Sequence, residues 1–467
     1  MVDLEELSSR SAAAVGRALA AGEASPVALA EHLLKKAEAG RSGNIFIALT
    51  HERAMAEARA AEKRLASGQP LSPMDGVPIA WKDLVDLAGQ RTTAASNIYR
   101  GSEPARIDAP VASNATAAGM VTLGKVNLTE FAYSGLGLNP HFGTPHNPHS
   151  NGVPRVPGGS SSGSAVAVAA GYVPCAIGTD TGGSIRIPAS FNGIVGYKPS
   201  ERRISKEGVF PLSRTLDTVG PLARSVEDCV LLDAVLRGAV TTGVRRRSIS
   251  GLKICVPEAV VLDDLEPAVE ANFRDSINQL EAAGARIIRG PSEIFRKTAQ
   301  LAQDHGTITA ADAYAEHRHL VDGSSVRKID ARVVSRIMGG KAMSAADVIT
   351  LSREREALAK ELAQFVDDGL IAMPTTAITA PEVKPLEADE ELFHKTNLKV
   401  LRNTSLGNFL NMPGLALPNG TDTEGLPTSL LICGTSGTDE RLLSFGLEIE
   451  RTLGNREGFN SAPARNR

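Results

Sequence analysis

The sequence predicts an α/β fold, a β-sheet covered by helices, in a chain of 467 residues. Three observations carry this expectation. Short apolar runs bounded by turn residues, at Val77–Trp81, Met120–Gly124 and Val173–Ile177, have the length and composition of buried strands. Longer stretches rich in Ala, Leu and Glu place apolar residues at three- and four-residue spacing, as amphipathic helices do. The two kinds alternate along the chain, an order that lays helices against a sheet.

Taken in order, residues 4–40 read as helices, with Leu4, Leu7, Ala14, Val15 and Ala18 on one stripe and a second start at the Ser25-Pro26 cap. His51–Ser67 is again helical. Leu71–Gly76 is a turn, Val77–Trp81 a strand, and Thr93–Arg106 a loop. Ser161–Ala170 reads as a helix of small residues stopped by Gly171, Gly178–Gly183 as a polar turn, and Ile185–Phe191 as a further helix. Arg237–Gly251 shifts to Gly, Thr and Arg, a connector. Beyond it come a strand at Leu252–Val256, an amphipathic helix at Leu265–Ala283 and a mostly helical region at Glu293–Leu362, interrupted near Gly339-Gly340. Sheet-like runs resume at Leu370–Pro374, Met412–Pro418 and Leu430–Cys433.

The stretch Val156–Pro199 holds two Gly-Gly-Ser turns, Gly158-Gly159-Ser160 and Gly182-Gly183-Ser184. Glycine pairs serve where backbone must approach something closely. Two of them, each delivering a serine, predict one site built from two loops. Successive N–H groups in the second turn can form a nest for an anion or a developing oxyanion.

This segment, VPGGSSSGSAVAVAAGYVPCAIGTDTGGSIRIPASFNGIVGYKP, resembles the signature of the amidase signature family, hydrolases that cleave carboxamides with a Ser-Ser-Lys triad. Gly76–Asp83 is similar to the family's lysine strand, and Asn127–Pro148, Asp217–Asp228, Asp368–Pro381 and Asn408–Pro418 also fit, in order along the chain. The resemblance implies a mixed, twisted central sheet with helices on both faces. It implies a single domain over 1–467, with N-terminal helices (1–68), a signature core (70–235), a variable helical region (260–365) that covers the acyl pocket, and a C-terminal return to the sheet (368–450).

Carried over by position, Lys82 is the base, Ser160 the bridging serine, joined to Gly159 by a cis peptide, and Ser184 the nucleophile. The resemblance further assigns the oxyanion hole to backbone N–H groups of Thr181, Gly182 and Gly183, and the approach to the nucleophile to Tyr133 and Ser134. Ser162 departs from the family pattern, which has glycine there. The chemistry suits these residue types. A serine hydroxyl must lose its proton as it attacks. Lysine can accept that proton only when neutral, a state that burial favours. The nine histidines are scattered, and His141, His146 and His149, those nearest the serines in sequence, lie in a Pro/Asn-rich loop. The reaction asks for no metal or organic cofactor.

Composition bounds the alternatives. With 50 basic and 53 acidic residues there is no general electrostatic reason to expect nucleic acid or an acidic membrane surface, and the densest basic cluster, Arg245-Arg246-Arg247, reads as a solvated connector. Cys175, Cys229, Cys255 and Cys433 form no CxxC pair and predict reduced core thiols in a cytoplasmic protein. The N-terminus predicts no secretory leader, and no run of about 18 apolar residues predicts a membrane span. The expected partner is a small-molecule amide, with homodimer formation left open. Two further readings stand beside the amidase. One is the glutamine-amidase subunit of a tRNA-dependent amidotransferase. The other is a Ser-His-Asp α/β-hydrolase esterase, suggested by Gly159-Ser160-Ser161-Ser162-Gly163, a literal G-x-S-x-G. Pro154 and Pro157 disfavour the central strand that such an elbow requires.

Overall fold

The computed structural model describes residues 2–239 and 241–454. Eleven strands form one sheet: β1 (Phe46–Leu49), β2 (Pro78–Lys82), β3 (Val121–Val126), β4 (Cys175–Asp180), β5 (Val195–Lys198), β6 (Thr218–Ala223), β7 (Lys253–Val256), β8 (Arg286–Arg289), β9 (Leu370–Pro374), β10 (Gly414–Thr421) and β11 (Pro427–Cys433). Their order is β1-β3-β2-β4-β6-β5-β10-β11-β9-β7-β8. β2 runs parallel to β3 and β4, and β7 parallel to β8 and β9, while every other pair is antiparallel. The sheet is mixed, as the resemblance implied.

Strand residues alternate between two cores. Ile254, Leu370, Ala372, Leu430 and Ile432 face one, with Phe273, Ile277 and Leu280 of the helix Pro267–Ala282 and Leu442, Leu443 and Ile449 of Asp439–Thr452. Cys255, Ile371, Met373, Leu431 and Cys433 face the other, against Phe295, Leu358, Leu362 and Leu410. A period of two with both faces apolar is what helix-covered strands require. The same burial explains why β2, β3, β4 and β6 are buried along their whole lengths.

Several sequence expectations are redrawn. The N-terminal 68 residues hold three helices before residue 40, Leu4–Ser8, Ala12–Ala20 and Pro26–Ala39, the last capped by Ser25 as expected. They also hold edge strand β1, whose four apolar residues are too short a run to announce themselves. Gly178, Thr179 and Asp180 are strand residues paired with Gly220, Val219 and Thr218, so the turn begins only at Thr181. Gly178 is glycine because a Cβ there would stand 2.6 Å from Ser161 Oγ. The interruption expected near Gly339-Gly340 falls at residues 342–344, between the helices Ala331–Lys341 and Ala345–Val366, and the two glycines lie in the last turn of the first. A Cβ on Gly340 would meet the Ala310 carbonyl oxygen at 2.0 Å, so glycine there permits close packing on the helix Ile308–Val321.

Candidate functional site

The site gathers at the carboxyl ends of the parallel neighbours β2 and β4, where open α/β sheets place their ligands. Lys82 is the last residue of β2 and wholly buried. Its Nζ lies 2.7 Å from Ser160 Oγ, 3.0 Å from Ser161 Oγ and 2.8 Å from Thr179 Oγ1, three hydroxyls and no carboxylate. Burial pulls the Lys82 ammonium down from its ordinary 10.5 to about 7, against the opposing attraction of Asp217 and Asp180. Among the described residues that line the substrate-sized cavity or hydrogen-bond to Ser160, Ser161 or Ser184, none is a histidine, so the α/β-hydrolase alternative lacks its base. Its elbow fails as well, because the residues before Ser160 are loop and not a central strand.

The two Gly-Gly-Ser turns meet. Ser161 N–H donates to the Ser184 carbonyl at 3.2 Å, and the Gly159–Ser160 peptide is cis. The Ser160 carbonyl accepts from Thr129 N–H and Ser162 N–H. Ser161, at the head of the helix Ser162–Ala169, donates its hydroxyl to the Thr179 carbonyl at 3.2 Å and presents an oxygen to Lys82.

The loop carrying Ser184 is clamped from below. Asp180, the last residue of β4, accepts Gly183 N–H at 2.9 Å and Ile185 N–H at 3.1 Å and pairs with the buried Arg186 guanidinium at 2.9 Å, and Asn408 Nδ2 donates to it at 2.9 Å. Burial would raise the Asp180 carboxyl, but Arg186 overrides it and holds the group well below the usual carboxylate range. Thr181 Oγ1 donates to Asp217, which also accepts Leu212 and Ser213 N–H at 3.0 Å. Of the three amides expected in the oxyanion hole, Gly183 is thus engaged elsewhere, a departure from the sequence reading. Thr181, Gly182 and Ser184 N–H donate to no acceptor among the described residues.

Ser184, Thr181 and Gly182 open onto a cavity of about 350 Å³, and Tyr133 and Ser134 lie in its lining. Ser134 Oγ donates to Asn397 Oδ1 at 3.0 Å, and the Tyr133 ring lies under the Arg336 guanidinium at 4.4 Å. The opposite wall comes from the helical region, including Thr298, Gln303, Ile308 and Leu351, and from Leu401, Ser405 and Phe409 of the helix Glu390–Phe409. Sequence reasoning missed Ser161, Thr179, Asp180, Arg186, Asp217 and Arg336. Asp180 and Asp217 had a signal, since each is the acid of a segment that bore the family resemblance.

A family model described as Amidase matches residues 28–443. This chain belongs to the amidase family. It is an amide-hydrolysing enzyme, and its mixed helix-covered sheet is that of amidase structures. This amidase is 31% identical over 428 residues to the 2-amino-5-chloromuconic acid deaminase of Comamonas testosteroni, covering 88% of this chain and 89% of that one. It is 34% identical over 476 residues to a glutamyl-tRNA(Gln) amidotransferase subunit of Cupriavidus necator, covering 91% and 93%. A crystal structure of an amidase superposes with a TM-score of 0.84 at 31% identity, over 95% of this chain and 100% of the other.

Ser162, where the amidase signature family has glycine, buries its hydroxyl with no partner among the described residues. A buried unsatisfied hydroxyl costs about 1–3 kcal/mol, and alanine at the first turn of a helix keeps the Cβ contacts. Ser162→Ala is therefore expected to raise the unfolding free energy of this amidase by about 1 kcal/mol, read from urea denaturation midpoints. Among the described residues no helix is long and apolar enough to cross a membrane.

Proposed function

We propose that this enzyme hydrolyses a small carboxamide to the carboxylic acid and ammonia or amine through an acyl-enzyme on Ser184. The observation that carries the reading is the contact of a buried, carboxylate-free Lys82 amine with Ser160 Oγ at 2.7 Å, in a loop that meets the one carrying Ser184, a second serine open to the cavity. A neutral amine has two N–H donors and one lone pair. Ser161 and Thr179 oxygens take the two donors, which leaves the lone pair for the Ser160 hydroxyl. The Ser184 proton passes to Ser160 and the Ser160 proton to Lys82 as Ser184 Oγ bonds to the amide carbon. The oxygen of that carbonyl gathers negative charge beside the amides of Thr181, Gly182 and Ser184, where a lost donor costs about 10²- to 10³-fold in turnover. The C–N bond then breaks and the relay returns a proton to the leaving nitrogen. Water loses its proton along the same path, and its oxygen releases the acid. No step draws on a metal or organic cofactor. Four buried, unpaired cysteines suit a reducing cytoplasm.

The test is a fluorophosphonate probe followed by mapping of the adduct. A single adduct on Ser184 is expected, blocked by an amide substrate. An adduct elsewhere, or none on protein that turns over amides, would sink the mechanism.

A second reading, the glutamine-amidase subunit of a tRNA-dependent amidotransferase, is favoured by the similarity to the Cupriavidus necator protein. It requires glutaminase activity that appears only with partner chains. Turnover of small amides by the isolated chain, with none of glutamine, decides against it.

A further inference from the structure

The Gly182–Gly183 peptide is fastened at both ends by side chains. Its N–H donates to Asp180 at 2.9 Å, and its carbonyl accepts the Thr404 hydroxyl at 2.7 Å. Thr404 stands on the helix Glu390–Phe409, wholly buried and outside the lining of the substrate cavity. A threonine within a helix commonly turns its hydroxyl back onto a carbonyl of the preceding turn. That alternative exists here in the Leu401 carbonyl, 3.1 Å away, but Ser405 already donates to it at 2.5 Å. A hydroxyl has one proton to give, and the shorter contact directs it to Gly182. The approach accounts for the second glycine of the turn. A Cβ on Gly183 would stand 2.2 Å from Thr404 Oγ1, and the φ of +135° there is one that glycine adopts freely. Thr404 is itself anchored, because its carbonyl accepts at 3.2 Å from the Arg186 guanidinium that pairs with Asp180.

A peptide group is planar, so holding both its N–H and its carbonyl fixes the plane, and with it ψ of Gly182 and φ of Gly183. The amides on either side of that plane, Gly182 N–H and Ser184 N–H, are two of those that donate to no acceptor among the described residues. Glycines resist rotation little, so without the hydroxyl the peptide would be held at one end only. We infer that Thr404 is a positioning residue for the oxyanion site: its hydroxyl holds the Gly182–Gly183 peptide so that the Gly182 and Ser184 amides face the oxygen of the carbonyl under attack. The inference rests on the hydrolytic reading of Ser184 given above and adds the residue that aims its amides. Donors aimed at charge that develops only in the transition state act on kcat more than on KM. They act less on a thioamide, whose sulfur is a weak acceptor.

The experiment compares wild type, Thr404→Ala and Thr404→Ser. Both variants lose the methyl group and only alanine loses the hydroxyl, so the difference between them reads the hydroxyl alone. The measurements are kcat and KM for butyramide and thiobutyramide, the rate at which a fluorophosphonate labels Ser184, and hydrogen exchange of a peptide spanning 181–185, followed by mass spectrometry. Thr404→Ala is expected to lower kcat for butyramide and the labelling rate by about 10²-fold, the scale of a lost oxyanion donor, with KM within about threefold. Its kcat ratio of amide to thioamide should fall about tenfold, and exchange at 181–185 should quicken about tenfold. Thr404→Ser should stay within about threefold of wild type in every measurement, because it keeps the donor. Alanine and serine variants that behave alike, a labelling rate in Thr404→Ala within about threefold of wild type, or a loss shared equally by amide and thioamide each overturns the inference. If Ser184 of wild type takes no probe and no amide turns over, the hydrolytic reading is what has failed. Quicker exchange at 181–185 in Thr404→Ala alone then still supports the hold on the loop, and exchange equal in all three proteins refutes it.

Discussion

Lys82→Met is expected to lower kcat by about 10⁴- to 10⁶-fold, the loss seen when one member of a nucleophile-and-base unit is removed. The change keeps an unbranched chain of similar length in a wholly buried slot, so it removes the amine without opening a large void. Ser160 and Ser184 would remain, but no group beside them could take a proton. Amide turnover within tenfold of wild type would refute the role given to this amine.

The same residue fixes a pH profile. Only the neutral amine can accept a proton, and the Lys82 ammonium titrates near 7 because burial disfavours its charge. kcat/KM is expected to fall about tenfold per unit as pH drops below 7 and to level off above it. Stability carries the matching signature. Between about 7 and the ordinary 10.5, the unfolded chain holds a proton here that the folded chain has shed. The contribution of Lys82 to folding stability therefore rises with pH through that window and is fully present above it. In Lys82→Met that rise should vanish, a measurement independent of turnover. A wild-type rate profile flat from pH 6 to 9 would contradict the assignment.

The parts of this site that were legible in the sequence are those fixed by backbone. Two glycine pairs each ending in serine announced two close-approach turns, and the apolar run before Lys82 announced a strand ending on a buried amine. Both are local patterns. The hydroxyls of Ser161 and Thr179 were not legible, because in a Ser/Thr-rich segment nothing marks which oxygen faces the lysine. Gly178-Thr179-Asp180 read as a turn because its residues favour turns, yet pairing with β6 outweighs propensity. Gly339-Gly340 marked the break that follows at residues 342–344, but not the close packing of Gly340 on Ala310 that requires glycine there. The cavity wall was the least legible part. It joins Tyr133, in a loop, to Arg336 and Phe409, far apart in sequence on helices whose periodicity reveals a buried face but not what that face encloses.

Arg186→Met is expected to destabilise the fold by about 3–5 kcal/mol, the usual consequence of stranding one half of a buried ion pair. Asp180 would keep its Asn408 partner and the Gly183 and Ile185 amides but lose the guanidinium that offsets its desolvation. Because those two amides flank Ser184, the loop should loosen with the pair, and labelling of Ser184 by a fluorophosphonate should slow. Lys198 makes the effect pH-dependent. It is wholly buried near Asp180 and Arg186, and burial, reinforced by Arg186, lowers its ammonium to about 8. With Arg186 gone, the repulsion vanishes and Lys198 can hold a proton opposite Asp180. The loss of stability should therefore be smaller at pH 6 than at pH 9.5, where wild type has shed the Lys198 proton and no longer bears its repulsion by Arg186. Adding Asp180→Asn to Arg186→Met removes the stranded charge and should recover part of the loss at the higher pH. Urea denaturation of the three proteins at both pH values reads each step. An Arg186→Met midpoint matching wild type at pH 9.5 would show that the loop under Ser184 is held by its hydrogen bonds alone.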